Sequence, residues 1–190
     1  MIDIIVVGSS GLAREFCTYF SEQTEVISIV GIVSSSADEF ERFKLPGQFF
    51  KDGIAPDLVG TQYAVIAIGD PAVKKQVSEH LRSLGFLFPS FIHPSSVVSS
   101  QSVIEEGVIV FPQCSVSGGV NLNKFVTLCS GVHVAHDAVV GPYVQINSGS
   151  LLGGFVQVGQ GALVGYGVTI DDGAIIEPMA KIASGSVVVS

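Results

Sequence analysis

The chain has 190 residues, enough for one domain or two small ones, and 47 % of them are hydrophobic while 14 % are charged. This composition excludes a disordered chain. The formal net charge is −8 and the sequence has no basic cluster, which argues against nucleic-acid binding. No apolar run reaches the ~18 residues that a membrane span needs.

Targeting and cysteine features favour a cytoplasmic protein. The start, MIDIIVVGSSG, lacks the basic n-region of a signal peptide and is interpreted as a strand. The cysteines Cys17, Cys114 and Cys129 are widely spaced and odd in number. That spacing argues against a disulfide framework and against a zinc site, so no metal is expected.

The first ninety or so residues alternate between strand-like and helix-like segments. The predicted elements, in chain order, are a strand at 2–7, a helix at 12–20, strands at 26–33 and 63–69, and a helix at 71–86 that stops at Gly85. The segment between the second and third strands is predicted as a loop. The order β-α-β-loop-β-α predicts a small parallel sheet with covering helices.

A GSSG turn, Gly8, Ser9, Ser10 and Gly11, joins the first strand to the first helix. Glycines let the backbone approach a ligand closely, and amides at a helix N-terminus favour an anion, so the turn is a candidate phosphate site. Its spacing differs from the GxGxxG fingerprint of dinucleotide-binding proteins. A tight turn with a serine cap is the structural alternative.

Two further residues belong to the predicted rim of this turn. The second strand runs into serines, with Ser34 first, where an acidic residue would be expected in a dinucleotide site. Asp70 follows the third strand in an IGD turn. It either faces the same ligand or caps the helix that begins at the next residue.

From Val97 the chain divides into hexads without an insertion. The second position of each hexad is aliphatic, the sixth is always Ala, Ser, Cys or Val, and glycine recurs at the fifth. A period of six fits neither an amphipathic helix nor a simple strand. It predicts a solenoid of short parallel strands in which three hexads, about 18 residues, complete one coil.

The hexads resemble the left-handed β-helix of the hexapeptide-repeat acyltransferases. With the GSSG unit, the IGDPAVKKQ stretch and the FIHPSSVV junction, the whole chain resembles the sugar O- and N-acetyltransferases of the sialic acid and bacillosamine type. The resemblance implies an α/β Rossmann-like domain at 1–90 that binds a nucleotide sugar through the GSSG rim. It also implies a left-handed β-helix at 91–190 that binds acetyl-CoA, and a homotrimer.

The hexad HVAHDA carries the sharpest candidate residue. Counting by about 18 residues along one corner of the solenoid aligns His136 with Gly118, Gly154 and Asp172. In the resembling family the histidine of H-[ED]-x-x-[IV]-G is the general base, and His136 begins the matching HDAVVG. The resemblance therefore implies that His136 is the base, that Asp137 orients it, and that the Gly154 amide stabilises an oxyanion.

The cofactor side of this site is predicted to include Asp172 and Gln145 as well. Gln145 stands where many relatives have a second histidine, and Cys129 begins CSG where they have N-T-G. Relatives continue past the last coil into a tail with G-x-P-A-[KR], whereas this sequence reaches VVVS. His133, His93 and Cys129 are interpreted as structural.

Three functions stay open at this point. The first is N-acetylation of a nucleotide-linked 4-amino sugar by direct attack on acetyl-CoA, for bacterial surface glycans. The second is O-acetylation of a free sugar such as sialic acid. The third is a non-catalytic, trimeric scaffold that binds a nucleotide sugar.

Overall fold

The computed structural model describes residues 1–20, 27–51 and 54–190. The chain forms two compact units, of which the first is Met1–Gly69 with Val73–Pro89 and the second is Asp70–Ala72 with Ser90–Ser190. Across these described ranges, none of the helices is both long enough and apolar enough to cross a membrane.

The first unit contains four strands and the helices that alternate with them. They are β1 (Ile2–Val7), α1 (Gly11–Phe20), β2 (Ile27–Val33), α2 (Asp38–Phe43), β3 (Gln48–Phe50), α3 (Pro56–Val59), β4 (Ala64–Ile66) and α4 (Pro71–Ser83), the first two residues of α4 being grouped with the second unit. The strands form one parallel sheet in the order β3-β2-β1-β4. The last four residues of β1 are buried, as expected for a central parallel strand covered on both faces.

All five predicted elements of this unit are present, and three were missed. Helices α2 and α3 and strand β3 lie in the segment predicted as a loop, because each has only three to six residues and too short a run to show a period. The predicted second strand began at Val26, which lies outside the described residues. Helix α4 ends at Ser83, and Gly85 follows with a positive φ of 93°.

The second unit is a parallel β-helix with two-residue strands. In chain order they are β5 (Phe91–Ile92), β6 (Val97–Val98), β7 (Val103–Ile104), β8 (Ile109–Val110), β9 (Ser115–Val116), β10 (Asn121–Leu122), β11 (Thr127–Leu128), β12 (His133–Val134), β13 (Val139–Val140), β14 (Gln145–Ile146), β15 (Leu151–Leu152), β16 (Gln157–Val158), β17 (Leu163–Val164), β18 (Thr169–Ile170), β19 (Ile175–Ile176), β20 (Lys181–Ile182) and β21 (Val187–Val188). Every strand pairs in parallel with the third strand along the chain, which gives three sheets.

The hexad pattern predicts this unit from Val97 onward, and the structure adds one strand before that point. Phe91 pairs with Ile109 and Ile92 with Val110, so the coil begins one hexad earlier than Val97. The core consists of the second and sixth residues of the hexads, such as Leu152 and Val156, both fully buried. The β-helix interior is therefore a column of small and medium aliphatic side chains, as the composition of those positions requires.

The corners of the coil impose a left-handed backbone on the fifth residue of each hexad. From 107 to 185 this position always has a positive φ, whether it is glycine or not. The residues other than glycine are Gln113, Phe125, Asp137, Tyr143, Phe155 and Met179, with φ between 58° and 63°. Glycine recurs there because it adopts this conformation without a steric cost, and aspartate tolerates it better than most residues do.

Replacing Leu152 by alanine is expected to lower the free energy of unfolding by about 2–5 kcal/mol, because Leu152 is fully buried in the coil core. Its neighbour Leu151 is 46 % exposed, so Leu151→Ala is the matched control and is expected to cost under about 1 kcal/mol. Chemical denaturation followed by circular dichroism measures both. Equal losses for the two variants would contradict the inward assignment of the second hexad position.

Candidate active site

His136 lies at a corner of the β-helix, between β12 of one sheet and β13 of the next. Backbone hydrogen bonds join the coils on either side of it. The Asp137 amide donates to the Gly118 carbonyl at 3.1 Å, and the Phe155 amide donates to the His136 carbonyl at 3.0 Å. These bonds, and the one from the Gly173 amide to the Gly154 carbonyl, stack 118, 136 and 154 one above another.

The imidazole of His136 is paired with the carboxylate of Asp137. Nδ1 and Oδ2 are 3.0 Å apart, and the two side chains are 59 % and 52 % exposed. An ionised carboxylate only accepts hydrogen bonds, so Nδ1 carries the proton and Nε2 is the basic nitrogen. A Cβ atom at Gly119 would collide with the Asp137 carboxylate, so glycine one coil earlier makes room for this pair.

Gly154 supports the other edge of the imidazole. An ideal Cβ atom at residue 154 would lie 2.8 Å from Cε1 and 3.0 Å from Nε2 of His136. The Phe155 ring packs edge-on against the His136 ring, with centroids 5.1 Å apart and an interplanar angle of 87°. The imidazole is thus confined by a carboxylate, a glycine and an aromatic ring, and it presents a basic nitrogen at an exposed corner.

Phe155 was missed by the sequence analysis. It takes the fifth position of its hexad with φ 59°, where a corner glycine is common, and it is 58 % exposed. A large aromatic residue at an exposed position that favours glycine, directly after Gly154, is the signal that would have identified it.

The Gly154 amide is already engaged. It donates to Oδ1 of Asp172, one coil further along, at 2.7 Å. The ladder between coils uses the amides of Gly153 and Phe155 and leaves that of Gly154 available to a side chain or a ligand. The amide predicted to stabilise an oxyanion and the carboxylate predicted to contact the cofactor are therefore bonded to each other in this structure.

The first histidine of HVAHDA, His133, is separate from this corner. His133 opens β12, and its Nδ1 lies 2.6 Å from the hydroxyl of Ser115 in the preceding coil. His93 accepts a hydrogen bond at Nδ1 from the Ser95 amide, at 3.2 Å. Both contacts are with serines of the coil, and the interpretation of the two histidines as structural stays a prediction.

Gln145 lies on the third sheet, in β14, and is 2 % exposed. Its side-chain amide donates to Sγ of Cys129 at 3.1 Å. The structure therefore does not bring Gln145 to the His136 corner within one chain. Its predicted contact with the cofactor stays a prediction.

The cysteines are unsuited to nucleophilic attack. Cys129 is 5 % exposed, and Cys17 and Cys114 are buried as well. Desolvation raises the pKa of the Cys17 thiol to about 12, and it also raises the pKa of Cys114. Because the thiolate is the reactive form, burial removes these side chains from covalent chemistry.

The GSSG turn of the first unit borders a cavity. Gly8 has φ 117°, and a Cβ atom there would lie 2.7 Å from the Ala67 carbonyl oxygen, so the turn requires glycine at this position. A cavity of about 420 Å³ is lined by Gly8, Ser34, Ser35, His80 and apolar side chains. The predicted rim residues Gly8 and Ser34 thus line the same cavity, and the Ser34 hydroxyl lies 2.9 Å from the hydroxyl of Ser9.

A carboxylate that sequence reasoning missed reaches this turn. Ser9 is 6 % exposed, and its hydroxyl donates to Oε2 of Glu39 at 2.9 Å. Because the Ser9 proton is committed to Glu39, the Ser34 hydroxyl is the donor in the 2.9 Å bond between the two serines. Glu39 lies in α2, and the sequence analysis placed no element there.

Asp70 and the remaining turn residues have simpler positions. Oδ1 of Asp70 accepts the Ala72 amide at 2.9 Å, which is the capping role given as the alternative. Ser10 and Gly11 lead into α1, where the Arg14 amide donates to the Ser10 carbonyl at 3.0 Å. In the part of the chain that the structure describes, no cluster of three or more His, Cys, Asp or Glu residues could hold a metal ion.

Comparisons with known proteins agree with the resemblance. No family model matches the chain. The GDP-perosamine N-acetyltransferase of Escherichia coli O157:H7 is 30 % identical over 83 residues, which are 44 % of this chain and 38 % of that protein. The match therefore spans well under half of that relative.

Solved structures resemble the chain over nearly its full length. The acetyltransferase domain of PglB from Neisseria gonorrhoeae FA1090 has a TM-score of 0.85 at 20 % identity, covering 98 % of this chain and 90 % of that one. PerB from Caulobacter crescentus, solved with CoA and GDP-perosamine, has a TM-score of 0.75 at 22 % identity, with coverages of 100 % and 95 %. The predicted resemblance to sugar acetyltransferases is confirmed, and the fold is shared with these structures.

Replacing Gly154 by alanine is expected to displace the His136 ring, because the added methyl group would lie 2.8 Å from Cε1. The His136 side chain is 59 % exposed, so the ring can shift toward solvent and the stability loss is expected to stay within about 1 kcal/mol. The displacement is measured as a change in the imidazole ¹H and ¹⁵N shifts, to which the Phe155 ring contributes. Gly118→Ala in the same column is the control, since its methyl group meets only the end of the Gln101 side chain within 3 Å. Unchanged His136 shifts in Gly154→Ala would contradict this packing.

Proposed function

We propose that the protein is an acetyltransferase that transfers acetyl from acetyl-CoA to the amino group of a nucleotide-linked amino sugar. The observation that carries the proposal is the His136–Asp137 pair, with Nδ1 and Oδ2 3.0 Å apart, at an exposed corner above Gly154. A relative that is 30 % identical over 83 residues is a GDP-perosamine N-acetyltransferase. PerB, which shares the fold, was solved with CoA and GDP-perosamine.

Each unit has the architecture that this reaction needs. The strand order β3-β2-β1-β4, with a GSSG turn after the central strand β1, supports a Rossmann-like site for the nucleotide sugar. The three-sheet coil supports assignment to the left-handed β-helix that binds acetyl-CoA in the resembling family. Gly8, Ser9, Ser10, Gly11 and Ser34 are the residues of the nucleotide-sugar site.

The reaction follows from the protonation state of His136. Nε2 removes a proton from the sugar nitrogen as that nitrogen attacks the thioester carbonyl carbon. Asp137 fixes the tautomer and stabilises the imidazolium that forms. The tetrahedral intermediate then expels the thiolate of CoA, which takes up the proton from the imidazolium, and an amide bond has replaced the thioester.

The intermediate carries a negative oxygen that needs a donor. The Gly154 amide points out of the ladder, and it serves as this donor when the Asp172 carboxylate releases it. Asp172 then lies next to the coenzyme. In this arrangement the 2.7 Å bond between the two residues is a resting contact that acetyl-CoA replaces.

The assembly that we propose is a cytoplasmic homotrimer. Several outward-facing residues of the coil are large, apolar and exposed, among them Val103, Val139, Leu151 and Ile175, which are 42–66 % exposed. Such exposed apolar residues along a coil favour contact with further copies. A corner site next to a neighbouring copy would also enclose the acetyl group more fully than one coil does.

Two rivals predict different behaviour. O-acetylation of a free sugar would proceed without a nucleotide on the acceptor. A non-catalytic scaffold would bind a nucleotide sugar and would not release CoA from acetyl-CoA in its presence. The pairing of His136 with Asp137 favours catalysis over the scaffold, since a scaffold has no use for an oriented basic nitrogen.

Replacing His136 by glutamine is expected to lower kcat by about 10²–10⁴-fold, because the general base is lost. A coupled assay of CoA release with GDP-perosamine and with UDP- and dTDP-linked 4-amino sugars measures the loss. His133→Gln is the matched control: it lies in the same hexad, contacts Ser115 instead, and is expected to keep its activity. Asp137→Asn keeps the left-handed corner and is expected to lose activity as well.

Unchanged turnover in His136→Gln would overturn the mechanism. Turnover with free sugars alone would favour O-acetylation of a free acceptor. Binding of a nucleotide sugar without CoA release from the wild-type protein would favour the scaffold.

Replacing Asp172 by alanine is expected to raise kcat/KM for acetyl-CoA several-fold, because it frees the Gly154 amide and removes a negative charge beside the oxyanion. The same CoA-release assay measures it. Asp171→Ala is the control, since its side chain is exposed in the same hexad but does not hold the amide. A fall in kcat/KM would show instead that Asp172 assists the coenzyme directly.

A further inference from the structure

A hydrogen-bonded chain of side chains ends on Glu39 at the GSSG turn. The Ser36 amide donates to the Ser34 hydroxyl at 3.4 Å, Ser34 donates to Ser9, and Ser9 donates to Oε2 of Glu39. Ser9, which links Ser34 to Glu39, is buried. Glu39 is itself half-buried. A half-buried carboxylate is therefore held in place beside a candidate phosphate turn.

Two serines connect the Glu39 carboxylate to the cavity. Ser34 lines the 420 Å³ cavity and connects to Glu39 through Ser9. An ionised carboxylate has about four lone-pair sites, of which Ser9 uses one. Glu39 is separated from the cavity-lining Ser34 by Ser9. Its remaining lone pairs are acceptors only, so they suit a ligand group that brings hydroxyl donors.

The end of β2 gives the reason to look for such a group. In dinucleotide-binding sheets an acidic residue at this edge accepts hydrogen bonds from the ribose hydroxyls. Here β2 ends at Val33 and is followed by Ser34, Ser35 and Ser36. Glu39, from the next helix, brings a carboxylate to the edge that those serines leave without one.

We propose that Glu39 binds the vicinal 2′- and 3′-hydroxyls of the ribose in the nucleotide sugar and selects ribonucleotides over 2′-deoxyribonucleotides. The inference rests on the proposed function and narrows its substrate class: the acceptor sugar is carried by a ribonucleoside diphosphate such as GDP or UDP, not by dTDP. Glu39 is a specificity-determining residue and takes no part in the acetyl transfer at His136.

Calorimetric titration of the full chain with GDP, 2′-deoxy-GDP, UDP and 2′-deoxy-UDP tests the proposal. The wild-type protein is expected to bind the ribonucleotide of the accepted base at least about tenfold more tightly than its 2′-deoxy form, as for hydrogen bonds to a charged group. Glu39→Gln is expected to reduce that ratio to near one, chiefly by weakening the ribonucleotide. Glu41→Gln, on the exposed side of the same helix, is expected to keep the wild-type ratio.

Other outcomes overturn the proposal in distinguishable ways. Equal loss of ribo and deoxy affinity in Glu39→Gln would mean that Glu39 only supports the turn. Loss confined to guanine nucleotides, with an unchanged ribo-to-deoxy ratio, would mean that it reads the base. Nucleotide binding without discrimination overturns the role of Glu39 alone, whereas no binding of any nucleotide, with no CoA release from nucleotide sugars, overturns the proposed function too.

Discussion

The pairing of each residue in the coil with the residue one coil further along constrains everything else in the second unit. His133 pairs with Leu151, and Val134 pairs with Leu152. This register fixes which side chains share a column, because a strand of two residues leaves no space for slippage. A side chain at one corner therefore always faces the same hexad position in the coils above and below. The His136 corner is a consequence of that rule: its neighbours along the column are glycine on one side and glycine followed by aspartate on the other.

The corner conformation decides which groups are available for chemistry. The left-handed conformation of the fifth position turns the chain. At this corner the side chains of the consecutive residues His136 and Asp137 lie within hydrogen-bonding distance of each other. The fourth position at the same corner keeps its amide out of the ladder. Gly154 has both properties that a ligand site needs, an amide outside the backbone pairing and no Cβ atom, and the His136 ring uses the space that the missing Cβ leaves. One β-helix corner thus brings together the imidazole of His136 and the amide of Gly154, which hold the fourth positions of hexads one coil apart.

The sequence predicts the coil more fully than the α/β unit, and the reason is physical. The hexad repeats many times, so its aliphatic second position is easily recognised in the sequence. Counting in steps of 18 residues from His136 then identifies Gly118, Gly154 and Asp172 from the sequence alone. The first unit has no repeat, and the three-residue β3 and the short helix α2 carry too few residues for a period. Glu39 was missed for that reason. The bond between Gly154 and Asp172 was missed for another one, since counting gives the column but not which polar atoms within it pair.

Each of the two candidate sites, the His136 corner and the GSSG turn, contains a carboxylate that accepts a hydrogen bond from a residue of the proposed ligand site. Asp172 accepts a hydrogen bond from the Gly154 amide, and Glu39 accepts one from Ser9 of the GSSG turn. The two contacts differ in what a ligand does to them. An oxyanion and the Asp172 carboxylate are both acceptors and compete for one donor, so one must leave when the other arrives. A ribose brings donors to Glu39, which has lone pairs to accept them while it keeps its bond to Ser9, so the ligand and the protein contact persist together. In the proposed mechanism, Asp172 therefore competes with the oxyanion, whereas in the proposed ribose contact Glu39 accepts from the ligand and from Ser9 together.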